Sequence, residues 1–268
     1  MVTDMYMMDY HIHSNNSFDG KDSVTSICEA AIMKGLNEIC FTDHFSLKEG
    51  LKTYGTLNMK KYSDEISTCK EIFKNNLIIK AGLEICEPHE TESELRDTIS
   101  NIPFDFILGS IHNFDHTGLS TYMRAHEKET SYEDYFKEVN KISTSPFIDV
   151  VAHIDLMKRY AFVKHGKYDF NTHKEIIEEI LKNIISRGKG IEVNTSTLRS
   201  EINETMPSID ALKMYKELGG EIITVGSDAH CTTDVGEGIR EALDLLKSFG
   251  FENIYTFEER KAIAHKIK

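Results

Sequence analysis

The sequence contains no uninterrupted apolar stretch long enough to cross a membrane as a helix, which takes about 18 residues or more. Its first ten residues include acidic side chains where a secretory signal carries Lys or Arg. We therefore expect a soluble cytoplasmic protein with no membrane partner.

Cysteine is sparse and poorly spaced for a structural role. The five cysteines form no C-x-x-C pair, and their number is odd. Neither a disulfide framework nor a thiolate zinc site is therefore indicated, which is typical of proteins from a reducing compartment.

Positive charge is also in deficit, because 31 Lys and Arg face 44 Asp and Glu for a formal net charge of −13. The acidic residues are spread along the chain rather than gathered in a tail. Such a field repels the phosphate backbone of nucleic acids, so we expect no nucleic-acid partner. No pattern in the sequence indicates an oligomeric state.

Proline-rich linkers and repeats are absent, with four prolines in 268 residues, and nothing marks a second domain. Instead, short apolar runs alternate with amphipathic stretches. The apolar runs cover residues 6–13, 38–44, 77–86, 104–113, 149–154, 190–195 and 221–230. Helical patterns cover residues 24–34, 58–74, 132–141, 173–187, 208–218 and 235–249. Seven such units predict an α/β fold, a distorted (β/α)7 TIM-like barrel that forms one domain over residues 1–268.

Three remaining regions have weaker patterns. Residues 254–257 are expected to form a short extra strand, followed by a last helix over residues 258–267. Residues 114–131 and 155–172 are polar and lack periodicity, so we expect them to be loops that rim the functional site.

Side chains that can bind a metal stand where the apolar runs end. They are His11, His13, His44, Glu84, His112, His153, Asp228 and His230. Alternation along a strand puts His11 and His13 on one side, and likewise Asp228 and His230. Any one of them could be a hydrogen-bonded histidine or a paired carboxylate. Because barrel active sites form at the C-terminal ends of strands, the eight together predict a metal centre.

The types of ligand atom limit which metal ions could bind. Nitrogen and carboxylate ligands without sulfur suit Zn²⁺, Mn²⁺ or Fe²⁺, and the choice among the three stays open. Eight ligands exceed the needs of one tetrahedral ion. We therefore expect two or three divalent ions, with a carboxylate such as Glu84 bridging a pair of them, as in two-metal hydrolases.

The motifs H-x-H, T-D-H, G-L-E, G-S-I-H, A-H and S-D-A-H, in this order between residues 9 and 230, resemble those of the PHP (polymerase and histidinol phosphatase) superfamily. The resemblance implies a trinuclear centre in a (β/α)7 barrel. The three implied ligand sets are His11, His13, Glu84 and Asp228; Glu84, His112 and His153; and His44, His230 and Asp19. Asp19 stands where other members carry histidine, and in S-F-D-G it could equally be a turn residue.

Two further stretches, residues 152–160 and 191–199, resemble the histidinol-phosphate phosphatase branch of that superfamily. Each places an arginine beyond a strand end, Arg159 and Arg199, and a guanidinium matches two phosphate oxygens. A surface ion pair is the alternative for each. Asn194 and Ser196 are further candidates for binding the substrate.

The resemblance implies that a small phosphomonoester, L-histidinol phosphate, is hydrolysed by attack of a metal-bridging hydroxide. The implied catalytic residues are Arg159, Arg199, Asp228 and His230. The proton donor for the leaving group stays open, with a metal-bound water, Asp155 or an unligated His230 as candidates. His116 or His126 could reach the imidazole of the substrate, while Glu192 and Asp43 are expected to support other side chains.

Three other functions fit parts of the sequence. A PHP phosphatase or phosphodiesterase could act on phosphotyrosine proteins or short oligonucleotides instead. An amidohydrolase also begins with H-x-H, but the chain has no lysine in its fourth apolar run to bridge metals. A non-catalytic metal-binding module would be expected to lose ligands, and all of the ligand positions are filled here.

Overall fold

The computed structural model describes residues 5–99 and 102–268. The strands are β1 (Met8–Ile12), β2 (Glu38–Phe41), β3 (His44–Phe45), β4 (Ile78–Cys86), β5 (Phe106–Ser110), β6 (Asn113–Phe114), β7 (Thr117–Gly118), β8 (Val150–Val151), β9 (Gly190–Asn194), β10 (Ile223–Gly226), β11 (Asn253–Glu258) and β12 (Lys261–Lys266). The predicted domain begins within residues 1–4, which lie outside the described residues.

Most of the helices follow a strand of the main sheet. They are α1 (Val24–Met33), α2 (Met59–Phe73), α3 (Glu92–Ile99), α4 (Leu119–Ala125), α5 (Lys128–Ser143), α6 (Met157–His165), α7 (Lys174–Ser186), α8 (Ile209–Glu217) and α9 (Ile239–Ser248). Short 3-10 helices cover Pro88–Glu90, Phe170–His173 and Ser196–Arg199. No helix in the described ranges is long and apolar enough to span a membrane.

The main sheet is parallel and runs in the order β1-β2-β4-β5-β8-β9-β10, with the short β3 paired beside β4. A backbone bridge between Ile12 and Ala229 joins the segment after β10 to the end of β1, and His13 N donates to Ala229 O over 2.8 Å. The sheet therefore closes almost completely at the end where the ligands were predicted. The seven strands of this path coincide with the seven apolar runs, and the predicted barrel-like α/β fold is confirmed.

Strands β1, β2, β5, β8, β9 and β10 are buried along their whole length. One face of each strand contacts the barrel interior and the other contacts the surrounding helices, which is why the sequence shows continuous apolar runs rather than alternation. This double burial makes the strand ends rigid supports for the site.

The prediction of a last helix over residues 258–267 is wrong. The chain turns at Glu259 and Arg260, both with left-handed backbone (φ 48° and 65°), and β12 pairs antiparallel with β11. Two consecutive residues with positive φ make a hairpin turn whose twist suits paired strands. The Phe257 ring packs on Phe106, 4.9 Å between centroids, so the hairpin covers the opposite end of the barrel from the ligands.

The prediction that residues 114–131 and 155–172 are loops is also wrong in part. The first region contains α4 and the start of α5, and the second contains α6. Helix α6 lacks a clear apolar period because it buries Lys158, whose ammonium lies 3.1 Å from Asp155 and is paired rather than solvated. Helix α3 was not predicted either.

Candidate metal centre and active-site cavity

All nine predicted ligands, the eight at strand ends and Asp19, lie at one end of the barrel. Glu84 is at the centre of the group and is fully buried. Its Oε2 lies 2.9 Å from His44 Nδ1, 3.3 Å from His11 Nε2 and 3.4 Å from His13 Nε2. Its Oε1 lies 3.0 Å from His153 Nε2 and 3.4 Å from His112 Nε2. One buried carboxylate is thus shared by five imidazoles.

The charge state of Glu84 follows from these neighbours. Burial raises the pKa of the Glu84 carboxyl, but the imidazoles of His44, His11 and His112 outweigh burial and hold that pKa well below its ordinary value. Glu84 is therefore an anion at neutral pH. Its Oε2 has no hydrogen-bond partner among the described residues, so it is available to a cation.

The geometry of His11 and His13 also fits a metal. Their Nε2 atoms lie 3.1 Å apart, while His11 Nδ1 lies 2.6 Å from Glu192 Oε1 and His13 Nδ1 lies 3.2 Å from Ser17 Oγ. If each Nδ1–H donates to its oxygen, both Nε2 atoms carry lone pairs that point at one another. Such lone pairs repel unless a cation lies between them, so these residues fit a bound ion.

Potential ligand atoms gather in three groups that match most of the implied ligand sets. Within each group they lie within 4.8 Å of one another: His11, His13 and Asp228; His11, Glu84 and His153; and His13, Asp19, His44 and His230. The predicted ligands are thus brought together in space, while their binding of metal stays a prediction.

The structure places Asp19 beside the histidines with which it was grouped. Its Oδ2 lies 3.4 Å from His44 Nε2 and 3.3 Å from His230 Nε2. Its Oδ1 is buried without a partner among the described residues. Asp19 therefore has the position of a ligand and not only that of a turn residue next to Gly20.

A fourth group contains Cys86 with His44 and His112. Cys86 Sγ lies 3.7 Å from His44 Nδ1 and 3.4 Å from His112 Nδ1. The sequence reasoning missed this side chain. Strand periodicity could have found it, because Cys86 follows Glu84 by two residues and so points to the same side of β4.

Glu192 holds two of the predicted ligands in place. Besides accepting from His11, it accepts a hydrogen bond from His153 N over 2.9 Å. Gly226 lets β10 approach this pair, since a Cβ there would lie 2.4 Å from His11 Cβ and 2.5 Å from Glu192 Oε1. This geometry agrees with a supporting role for Glu192.

Asp43 orients the segment that follows β1. It accepts hydrogen bonds from Ser14 N over 2.8 Å, from Ser14 Oγ over 2.9 Å and from Ser17 N over 3.0 Å. Burial raises the pKa of Asp43 to about 6. The Ser17 hydroxyl in turn contacts His13 Nδ1 and accepts from His44 N over 2.8 Å, so Asp43 positions both histidines through Ser17.

Two predicted ligands have a left-handed or nearly left-handed backbone, Asp228 (φ 54°) and His153 (φ 22°). Such conformations cost energy for residues with a Cβ and persist where the surrounding structure imposes them. Each lies two residues beyond the end of a strand, His153 after β8 and Asp228 after β10, so the chain turns sharply as each side chain enters the centre.

Arg159 reaches the metal centre. Its Nη2 donates to Asp228 Oδ2 over 2.6 Å and to Ser196 Oγ, and Ser196 Oγ donates to Asn194 Oδ1 over 2.6 Å. Asn194 is fully buried. Asn194 and Ser196 therefore support Arg159 in the structure, and their contact with a substrate stays a prediction.

Arg199 contacts Ser227 and Asp234 rather than a predicted metal ligand. Its Nη2 donates to Ser227 O over 3.0 Å and lies 3.8 Å from Asp234 Oδ2. It does not line the cavity described below. A role of Arg199 in phosphate binding stays a prediction, and the ion pair considered as its alternative is present.

A cavity of about 480 Å³ opens onto the metal centre. Its inner wall contains Asp19, His44, His112, Arg159, Asp228 and His230. Its outer wall is formed by residues 50–53 and 118–121 with Phe18, Asn113, His116 and Tyr160. His116 thus lines the cavity, whereas His126 stacks on Tyr122 outside it, with 3.9 Å between ring centroids.

Asp155 does not have the position of a proton donor to the substrate. It is fully buried and accepts hydrogen bonds from Tyr168 Oη over 3.0 Å and Ser208 N over 2.8 Å. It also does not line the cavity. The suggestion that Asp155 protonates the leaving group is therefore wrong. Its carboxylate accepts a hydrogen bond from Lys158 Nζ and lies behind the residues that line the cavity.

The fold and this centre define a class of protein, and comparison with known proteins supports it. The family model for the PHP domain matches residues 9–196, which is most of the chain, so the chain belongs to the PHP family.

Among curated proteins, the chain is 30% identical over 266 residues to the histidinol-phosphatase of Lactococcus lactis, covering 98% of each chain. It is also 30% identical over 258 residues to a Clostridium acetobutylicum protein named "Probable histidinol-phosphatase", covering 95% of this chain and 98% of the other. Among solved structures, it resembles the histidinol phosphate phosphatase of Lactococcus lactis complexed with zinc, L-histidinol and phosphate. The TM-score is 0.90 at 29% identity, covering 97% of this chain and all of the other.

Proposed function

We propose that this chain is a metal-dependent phosphomonoesterase that hydrolyses L-histidinol phosphate to L-histidinol and phosphate, a step of histidine biosynthesis. The observation that carries the proposal is the buried Glu84 carboxylate shared by five imidazoles, two of which, His44 and His112, line the cavity. Relatives that carry the name histidinol-phosphatase align over nearly their full length and support the choice of substrate.

The centre would hold two or three divalent ions. The proposed ligands are His11, His13, Asp19, His44, Glu84, His112, His153, Asp228 and His230. Zinc, manganese and iron all suit these donors, and zinc is the first choice to test because the Lactococcus lactis structure contains it. When bound, such ions polarise phosphoryl oxygens and lower the pKa of water to about 7, so that hydroxide is available at neutral pH.

The residues of the chain prepare the site for this chemistry. Glu192 keeps the proton of His11 on Nδ1, so that Nε2 faces the centre as a lone pair. Arg159 is held by Asp228 and Ser196, which fixes the guanidinium at the inner wall without using all five of its donors. Its remaining N–H groups bind non-bridging phosphate oxygens and stabilise the charge on them as the ester bond breaks. Arg199 would add positive charge behind Ser227.

We further propose that residues 1–268 form a single PHP phosphoesterase domain that acts on a small substrate in the cytoplasm, without a nucleic-acid partner. The Lactococcus lactis relative has almost the same extent, since the alignment covers 98% of both chains. Five free cysteines support a reducing compartment, and the net charge of −13 weighs against nucleic acids.

The test compares leaving groups on the metal-loaded protein. Bound metals are counted, and kcat/KM is measured for L-histidinol phosphate, p-nitrophenyl phosphate and a thymidine bis-ester, with Glu84→Gln as the inactive control. We expect two to three ions per chain and a preference for L-histidinol phosphate of at least about a hundredfold. Similar slow rates on all three, or preference for the diester, would refute the proposed substrate and leave a metal hydrolase of other specificity.

A further inference from the structure

Lys52 is a cation without a partner in an acidic protein. Its side chain is exposed and makes no hydrogen bond or ion pair with the described residues, although the chain carries a formal net charge of −13. Some exposed lysines, such as Lys60 and Lys137, pair with a neighbouring carboxylate, whereas Lys52, like Lys247, does not within the described residues. The charge of Lys52 is therefore available to a ligand.

Lys52 also lines the cavity above the metal centre. The other lysine or arginine of the wall is Arg159, which is already paired with Asp228. Of the carboxylates in the described residues, Asp19 and Asp228 line this cavity, and both face the predicted metal ligands. The unpaired charge at the cavity mouth is therefore positive.

The segment that carries Lys52 is anchored on both sides. Lys48 Nζ lies 2.6 Å from Glu90 Oε2 and 3.1 Å from Asp115 Oδ1, which ties the segment to the neighbouring wall. Leu51 and Thr53, which flank Lys52, are buried. The anchored backbone keeps Lys52 in the cavity wall, so the reach of its side chain is limited to the surroundings of the entrance.

Glu49, the acidic side chain of the same segment, contacts a tyrosine and forms no ion pair with Lys52 among the described residues. Glu49 Oε1 accepts a hydrogen bond from Tyr54 Oη over 3.3 Å, and Glu49 is not part of the cavity wall. On the opposite wall, His116 approaches the segment closely, since a Cβ on Gly50 would lie 3.3 Å from His116 Nδ1. The two walls thus enclose the entrance at which Lys52 stands.

We propose that Lys52 is a positioning residue that attracts phosphomonoester dianions to the cavity entrance and holds them until Arg159 and the metal centre bind the phosphate. This inference rests on the proposed function only in that the substrate is a phosphomonoester. A unit charge and a dianion at about 8 Å in water attract strongly enough for roughly a fivefold change in a binding constant. Loss of that attraction weakens capture of the substrate and leaves the chemical step unchanged.

The test uses Lys52→Gln and Lys52→Glu in the metal-loaded protein. Lys247→Gln and Lys247→Glu are matched controls, because Lys247 is an exposed lysine at the C-terminal end of α9 without a partner in the described residues. The dissociation constant of inorganic phosphate is measured by calorimetry. KM and kcat are measured with p-nitrophenyl phosphate and L-histidinol phosphate. Each series runs from about 0.02 M to about 0.5 M salt.

At low salt we expect the phosphate dissociation constant and KM to rise about fivefold for Lys52→Gln and about 25-fold for Lys52→Glu, with kcat within about twofold. Lys52→Arg should behave as the parent, both Lys247 variants should be unchanged, and the effects should shrink at high salt. An unchanged dissociation constant for phosphate in Lys52→Glu at low salt would overturn the inference. So would a loss that is independent of salt and appears in kcat. If L-histidinol phosphate is not preferred but the phosphate dependence holds, the proposed substrate fails and the role of Lys52 stands.

Discussion

Glu192→Gln exchanges one oxygen for an NH₂ group at the metal centre and leaves the shape of the side chain unchanged. Both carboxylate oxygens of Glu192 are acceptors. Oε1 accepts from His11 Nδ1 over 2.6 Å, and Oε2 accepts from His153 N over 2.9 Å and Asn194 Nδ2 over 3.2 Å. An amide has a single oxygen, so in either orientation of glutamine an N–H group faces another N–H donor.

The two orientations of the glutamine disrupt different interactions, and the free-energy costs are of similar size. If the amide nitrogen faces His11, the histidine can relieve the clash by moving its proton to Nε2, the atom that faces Glu84, and it then cannot bind a metal through that atom. If the nitrogen faces His153, a buried backbone hydrogen bond is lost. An unsatisfied buried donor costs about 1–3 kcal/mol. This agrees with the roughly 10- to 100-fold loss of metal affinity that is common when a residue orienting a ligand is changed.

The assay is competition for the metal with a chromophoric chelator at pH 7, together with kcat/KM at rising metal concentration. We expect weaker metal binding for Glu192→Gln and partial recovery of activity in excess metal. Glu241→Gln, on the exposed side of α9, is the control for the loss of one negative charge. Metal affinity and kcat/KM both within twofold of the parent would refute the argument that Glu192 sets the proton position on His11.

Three further predictions concern the same centre. Removing metal with a chelator should lower the melting temperature by roughly 10 °C, because an ion present at about a thousand times its dissociation constant stabilises by about 4 kcal/mol, and an unchanged calorimetric transition would contradict this. Gly226→Ala should lower the free energy of unfolding by about 1–3 kcal/mol and reduce metal content, since its Cβ would lie 2.4 Å from His11 Cβ. Denaturant unfolding tests this against Gly118→Ala, whose Cβ would lie 3.8 Å from Asn113 Oδ1, and equal losses would remove the steric explanation. Arg159→Lys should raise KM for a phosphomonoester about tenfold, because an ammonium lacks the planar fork of guanidinium, and an unchanged KM would remove Arg159 from phosphate binding.

The strands and the candidate ligands at their ends could be predicted because both depend on local patterns. Strand β4 occupies Ile78–Cys86 within the predicted run 77–86, and β9 occupies Gly190–Asn194 within 190–195. Strands that are buried on both faces must be apolar throughout, so a polar side chain such as Glu84 near the end of a run is conspicuous. The C-terminal ends of parallel strands then gather at one end of a barrel.

The errors occur where local pattern is a poor guide. Residues 261–266 alternate weakly, and the turn at Glu259 and Arg260 depends on backbone angles that sequence propensity does not reveal. Helix α6 was missed because its buried Lys158 is stabilised by a pairing with Asp155 that is formed only in the folded chain. Asp155 was offered as a proton donor for the same reason, since its burial behind the cavity wall follows from packing.

The sequence alone determined the barrel, the end of it at which the candidate metal ligands gather and the types of those side chains, because strand periodicity and the rule for barrel ends connect the order of residues to their position in the fold. The tertiary structure decided which groups act on one another. Glu192 orients His11 from 181 positions away, Arg159 pairs with Asp228 across 69 positions, and Lys52 faces the cavity from an anchored segment. These pairings depend on how strands and helices pack at distances of a few ångströms, and packing depends on the whole chain rather than on neighbours in sequence.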